Sequence, residues 1–70
     1  MNDKAQEVFE AEFDLKKNTV QSMLSIYKNI DNLIKKILLK YDEEDYITVK
    51  VDQFNKKIYV TVTILDRRLN

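Results

Sequence analysis

Glycine, proline, cysteine, histidine and tryptophan are all missing from this chain of 70 residues. Without glycine there is no loop of the kind that lets backbone close on a phosphate. Without cysteine and histidine there is no thiol nucleophile, no disulfide and no structural zinc site of the usual kind. The side chain that most often moves protons near neutral pH is gone with histidine. Asp, Glu, Lys, Arg, Tyr, Ser and Thr remain for chemistry, and no spacing among them marks an active site. The expectation is a protein with no catalytic residues, no cofactor and no metal, and hence not an enzyme.

Two further absences bear on partners and location. Twelve Lys and Arg balance twelve Asp and Glu, so no net charge draws the chain to bulk nucleic acid or to an anionic membrane. The start Met1-Asn2-Asp3-Lys4 lacks the basic-then-apolar order of a signal peptide. The run Ile37-Leu38-Leu39 is far shorter than the ~20 apolar residues that cross a bilayer. No membrane association and a cytoplasmic location are expected, although the lack of cysteine fits any redox compartment.

What is present is periodicity. Phe9, Ala11, Phe13 and Leu15 alternate with Glu10, Glu12 and Asp14, the period of two of a half-buried strand. On a helical projection the same apolar residues scatter, so residues 8–15 read as a strand despite the helix propensity of Glu, Ala and Lys. Lys16-Lys17-Asn18 then turns the chain. Asn18 followed by Gln21 resembles a capping box with Asn18 as the cap.

A helix over residues 19–41 follows. Val20, Met23, Tyr27, Ile30, Ile34, Ile37, Leu38 and Tyr41 recur at three- and four-residue steps, widened by Ile26 and Leu33. Ile34 and Ile37 stand in the middle of that stripe, with Gln21, Ser25, Lys28, Asn32, Lys35 and Lys36 opposite it. Asp42-Glu43-Glu44-Asp45 would put four acids at the negative end of the helix dipole and therefore reads as a linker. Residues 46–52 and 57–65 alternate again and are rich in β-branched side chains. They make a hairpin whose turn has Asn55 as its left-handed residue. The polar tail from Asp66 to Asn70 is expected to fray.

The fold class is thus α+β in the order β-α-β-β, one domain over residues 1–70. A three-stranded sheet carries one long amphipathic helix on one face. The covered face is Phe9, Ala11, Phe13, Leu15, Ile47, Val49, Val51, Ile58, Val60, Val62 and Ile64. This order resembles that of dodecins and that of the front of ferredoxin-like and ribosome-hibernation domains. The likeness is one of topology, which does not fix function. The flavin stacking of dodecins resembles a job for tryptophan, and the second half of a ferredoxin-like domain is absent, so no family is assigned.

Candidate sites are few. The acidic run 42–45 offers oxygens to a hard cation but has neither the glycine nor the spacing of an EF-hand loop, so a solvated linker is preferred. Glu10, Glu12 and Asp14 read as the solvent side of a strand. Lys28, Lys35, Lys36 and Lys40 leave the outer helix face positive and are the alternative phosphate contacts of a nucleic-acid-binding regulator. Tyr46 and Tyr59, with Lys50, could stack bases on the open sheet face in the same reading.

The favoured surface is apolar. Leu24 and Leu39 fall outside the main helix stripe, Val8 and Leu65 fall on the second sheet face, and Tyr46 and Tyr59 join them there. A domain this small, without disulfide or zinc, has association as its remaining common stabiliser. The sequence therefore predicts a homo-oligomeric interaction protein, an adaptor or inhibitor that binds another protein. A small ligand bound between subunits is a weaker third reading.

Overall fold

A computed structural model describes residues 6–66 of the chain. The predicted order holds: strand β1 (Gln6–Asp14), helix α1 (Val20–Leu38), strand β2 (Tyr46–Phe54) and strand β3 (Lys57–Leu65). The sheet order is β1-β3-β2, so the last strand is the central one and is antiparallel to both neighbours. The strands that α1 connects, β1 and β2, run in the same direction and are separated by β3. All of the tail except Asp66 lies outside the described residues.

Register follows from the alternation. Phe9, Ala11 and Phe13 stand opposite Val62, Val60 and Ile58. Ile47, Val49 and Val51 stand opposite Ile64, Val62 and Val60. A slip of one residue would turn all of these side chains to the other face. Ile58, Val60, Val62 and Ile64 are each at most 3% exposed and meet Leu15, Ile26, Ile30 and Ile37 in one core. Phe9, Phe13, Met23, Leu33, Ile34, Tyr41 and Val51 pack around it half-buried.

Several boundaries differ from the sequence expectation. The helix cap is Thr19, not Asn18: its Oγ1 accepts the backbone N–H of Ser22 at 3.2 Å, and the helix begins one residue later. At the other end the helix stops at Leu38, not Tyr41. Lys40 N–H donates to Ile37 O and Tyr41 N–H to Leu38 O, the tighter three-residue step with which helices often finish. That last turn still delivers Tyr41 to β1, where its ring meets Phe9 edge-on at 6.3 Å and its hydroxyl donates to Glu7 Oε1. The centre of the buried helix stripe is Ile26, Ile30 and Ile37; Ile34, expected mid-stripe, lies on its margin and is half-buried.

The hairpin loop is only two residues long. Asn55 has φ 54°, as its type suggests, but Lys56 has φ 61° as well. Positive φ at both central residues gives the tight turn that matches the right-handed twist of the strands, a turn in which the second place usually belongs to glycine. Lys56 O also accepts the N–H of Leu15 at 2.8 Å, which ties the end of β1 to the hairpin tip. A side chain in the left-handed region costs roughly 1–2 kcal/mol, and glycine returns part of that through its own unfolded-state freedom. Lys56→Gly should therefore raise stability by about 0.5–1 kcal/mol in urea denaturation, and an unchanged or lower midpoint would show that the turn is not strained.

The core gives a second test. Ile30→Ala removes a side chain that is 3% exposed at the helix–sheet contact and should cost about 2–5 kcal/mol, enough to unfold much of so small a domain. Lys28→Ala, on the exposed face, should shift stability by no more than ~0.5 kcal/mol. Equal costs at the two positions, read by thermal or urea unfolding, would contradict the helix phase.

Candidate interaction surface

Two seams run along α1. Met23, Ile26, Ile30, Leu33 and Ile37 follow alternating steps of three and four and face the sheet. Val20, Leu24, Tyr27, Asp31, Ile34 and Leu38 follow the complementary steps, roughly 100° round the helix at 3.6 residues per turn. Asp31 is the one polar member of this second seam. Val20 is 78% exposed, Leu24 67%, Tyr27 46% and Leu38 43%.

At its Leu38 end the second seam looks toward β2. Leu38 lines a shallow hollow together with Ile47 and Ile64, at the foot of which lie Asp42, Glu43 and Asp45. Val20, Leu24 and Tyr27 line another with Met23 near the helix start. Ile47 and Val49, expected to be covered, are about two-fifths exposed. They point to the helix side of the sheet, but one helix above a three-stranded sheet leaves the β2 margin open. Leu38 meets the β2 margin at Ile47, and from Leu38 an exposed apolar strip runs on along the helix seam through Tyr27, Leu24 and Val20.

The residues chosen from sequence are not brought to one place. Leu24 belongs to this strip. Leu39, the helix C-cap, is 87% exposed and stands apart from it. Val8, Tyr46 and Leu65 meet at one end of the far sheet face: Leu65 is paired with Tyr46, and Val8 is paired with Thr63 one step along the same face. Tyr59 shares that face but lies six residues down β3 from Leu65, roughly 20 Å at ~3.3 Å per residue. Tyr46 and Tyr59 therefore do not form a continuous stacking platform. Ile47, Val49, Tyr27 and Leu38 were missed because period and polarity assign them to the core. The signal that could have found them is the breadth of the helix stripe, two seams where one suffices.

The lysines spread out in the same way. Lys28 and Lys35 lie two turns apart on one line, Lys36 is turned by roughly 100° from Lys35, and Lys40 follows the helix end. Lys35 is held by Asp31 at 3.1 Å. Lys35 and Lys36 in the last turn also complement the negative end of the helix dipole. The acidic run closes on itself: Asp42 N–H donates to Asp45 Oδ2, and Asp45 N–H to Asp42 O, both at 3.2 Å. No group of three or more side chains able to hold a metal occurs among the described residues, and no described helix is long and apolar enough to cross a membrane.

The far sheet face carries ion pairs. Lys57 Nζ donates to Glu12 Oε2 at 2.8 Å across β1 and β3, and Lys50 lies 3.8 Å from Asp52 along β2. Searches of protein-family models, curated proteins and solved structures find no match to this chain. The hydrogen bond and charge of Glu12 raise the Lys57 ammonium above its ordinary value. A raised lysine favours the folded state at pH below its unfolded value and loses that contribution as pH rises through the folded one. The dependence thus falls above about pH 10.4 and not near neutrality. Glu12→Gln should bring the Lys57 titration, followed by NMR of the side-chain nitrogen, back down; a titration that stays high would remove Glu12 as its cause.

Proposed function

We propose that this protein is a non-enzymatic protein-interaction module that acts as a homo-oligomer and serves as an adaptor or inhibitor of another protein. The observation that supports this reading best is the apolar strip of Val20, Leu24, Tyr27, Leu38, Ile47 and Val49, exposed on a domain that encloses little. The described residues extend 44 × 21 × 14 Å with a radius of gyration of 14.2 Å. A compact domain of this length has a radius near 11 Å by the usual scaling. A thin two-layer slab has little interior, and a protein surface of the right shape is the simplest way to take its remaining apolar side chains out of water. The nucleic-acid reading has less support, because the lysines diverge around the helix and the two sheet tyrosines are far apart.

Sedimentation at micromolar concentration should give at least twice the mass of the chain. Leu24→Glu should lower the assembly state by placing a charge in the strip, and Lys28→Glu, on the solvated face, should not. A monomer that stays folded on dilution would remove the self-association half of this reading.

A further inference from the structure

The two edges of the sheet differ in a way that selects one of them. Lys56 O accepts from the N–H of Leu15, the residue just after β1, so in β3 the even-numbered residues bond to β1 and the odd-numbered ones to β2. The two-residue loop requires the same parity, because Phe54 and Lys57 close the turn as a hydrogen-bonded pair. The outward backbone groups of β2 are therefore those of Ile47, Val49, Val51 and Gln53. Those of β1 are Gln6, Val8, Glu10, Glu12 and Asp14.

Pairing β1 with its own copy sets acids against acids. In the register of full overlap Glu10 meets Glu10, and in the one centred on residue 11 it meets Glu12; like charges directly opposite are destabilising. In every register two strands that each carry Glu7, Glu10, Glu12 and Asp14 and no basic residue are brought together. The β2 edge has no proline, and its charges are one of each sign, Lys50 and Asp52. It has few of the features that guard an edge strand.

Resting on the reading that this chain self-associates, we propose that β2 pairs antiparallel with β2 of a second copy about a two-fold axis through Val49, making one six-stranded sheet. In this register Val49 faces Val49, and Ile47 faces Val51, on the helix side, so the half-exposed apolar row of the margin becomes its own partner. On the far side Thr48 faces Lys50 and Tyr46 faces Asp52, with no like charges directly opposite. The register centred on residue 50 sets Lys50 against Lys50, and the one centred on residue 51 sets Val49 against Gln53. Both helices then lie on the same face, with the Val20, Leu24, Tyr27 and Leu38 seams turned toward each other across the axis. The two-fold closes the assembly at two chains and leaves the acidic β1 edges outermost.

A single thiol tests the register in a chain that has none of its own. Val49→Cys puts two sulfurs at the axis, on a hydrogen-bonded pair whose Cα atoms are about 5.5 Å apart, within disulfide range. Mild oxidation should convert most of it to a covalent dimer, while Glu10→Cys on the β1 edge should remain largely uncrosslinked. Val49→Pro removes an outward N–H and no bond to β3, so it should lower the sedimenting mass to that of one chain with the circular dichroism spectrum kept. Should that variant unfold, the thiol result alone decides. A wild-type dimer in which Val49→Cys does not crosslink, or crosslinks no more than Glu10→Cys, overturns the β2 edge and leaves self-association standing. A wild-type monomer at all concentrations overturns both.

Discussion

Everything in this fold depends on the apolar row of the last strand. Ile58, Val60, Val62 and Ile64 form the floor on which α1 rests, and β3 lies between the other two described strands with a neighbour on each side. No partial structure buries that row. β1 needs β3 for its pairing, and the helix needs the completed sheet for its Ile26, Ile30 and Ile37 seam. The strand made last in the chain thus organises the elements before it, and its pairing with β1 joins residues far apart in sequence. The two-residue turn before β3 lowers the cost of this order, since β2 and β3 can pair locally and offer an edge to which β1 returns.

The same row explains why the helix is over-apolar. A single helix covers a width of about 10 Å, whereas three strands at ~4.8 Å spacing with their side chains are wider. α1 seals the central strand and leaves the β2 margin open, as the exposure of Ile47 and Val49 records. A sequence built only to fold as one chain would place polar residues on the second helix seam and at 47 and 49. Instead that seam is apolar except for Asp31, which is held by Lys35. Removing those side chains from water would contribute roughly 25 cal/mol for each Å² of apolar surface covered, a meaningful addition where the folded state rests on eight buried side chains among the described residues.

Much of the fold is legible in the sequence because its signals are periodic. Strand alternation at Phe9 to Leu15, at Ile47 to Val51 and at Ile58 to Ile64, together with the three-and-four spacing of the helix, fixes the elements, their order and the inward faces. Less legible is whatever depends on local competition or on distance between elements. Asn18 and Thr19 both can cap, and the choice follows which oxygen reaches the N–H of Ser22. Lys56 in a left-handed turn runs against its own preference and is imposed by the register of the strands on both sides. Burial at Ile47 and Val49 depends on helix width against sheet width, which no pattern along the chain encodes. The six surface residues chosen from sequence separate into four places, Leu24 on the strip, Leu39 at the helix cap, Val8, Tyr46 and Leu65 at one end of the far sheet face and Tyr59 toward its other end, because distance between elements is not written in the period of any one of them.

Edge chemistry adds a constraint that acts before any partner is met. A three-stranded sheet has two edges, and an unguarded edge on both sides would allow copies to add without limit. Here β1 carries four acids and no base, and Glu12 is engaged with Lys57, so charge disfavours one edge against its own kind, while the other edge carries one charge of each sign. An assembly that uses only one edge stops at two chains and keeps the charged strands at its outer margins. In such an assembly folding and association would be linked through mass action, since whatever binds the folded chain and not the unfolded one stabilises it in proportion to the logarithm of its concentration. A chain without cysteine or histidine and with a thin core would gain from such coupling more than a large domain, because each added kcal/mol is a larger fraction of its total.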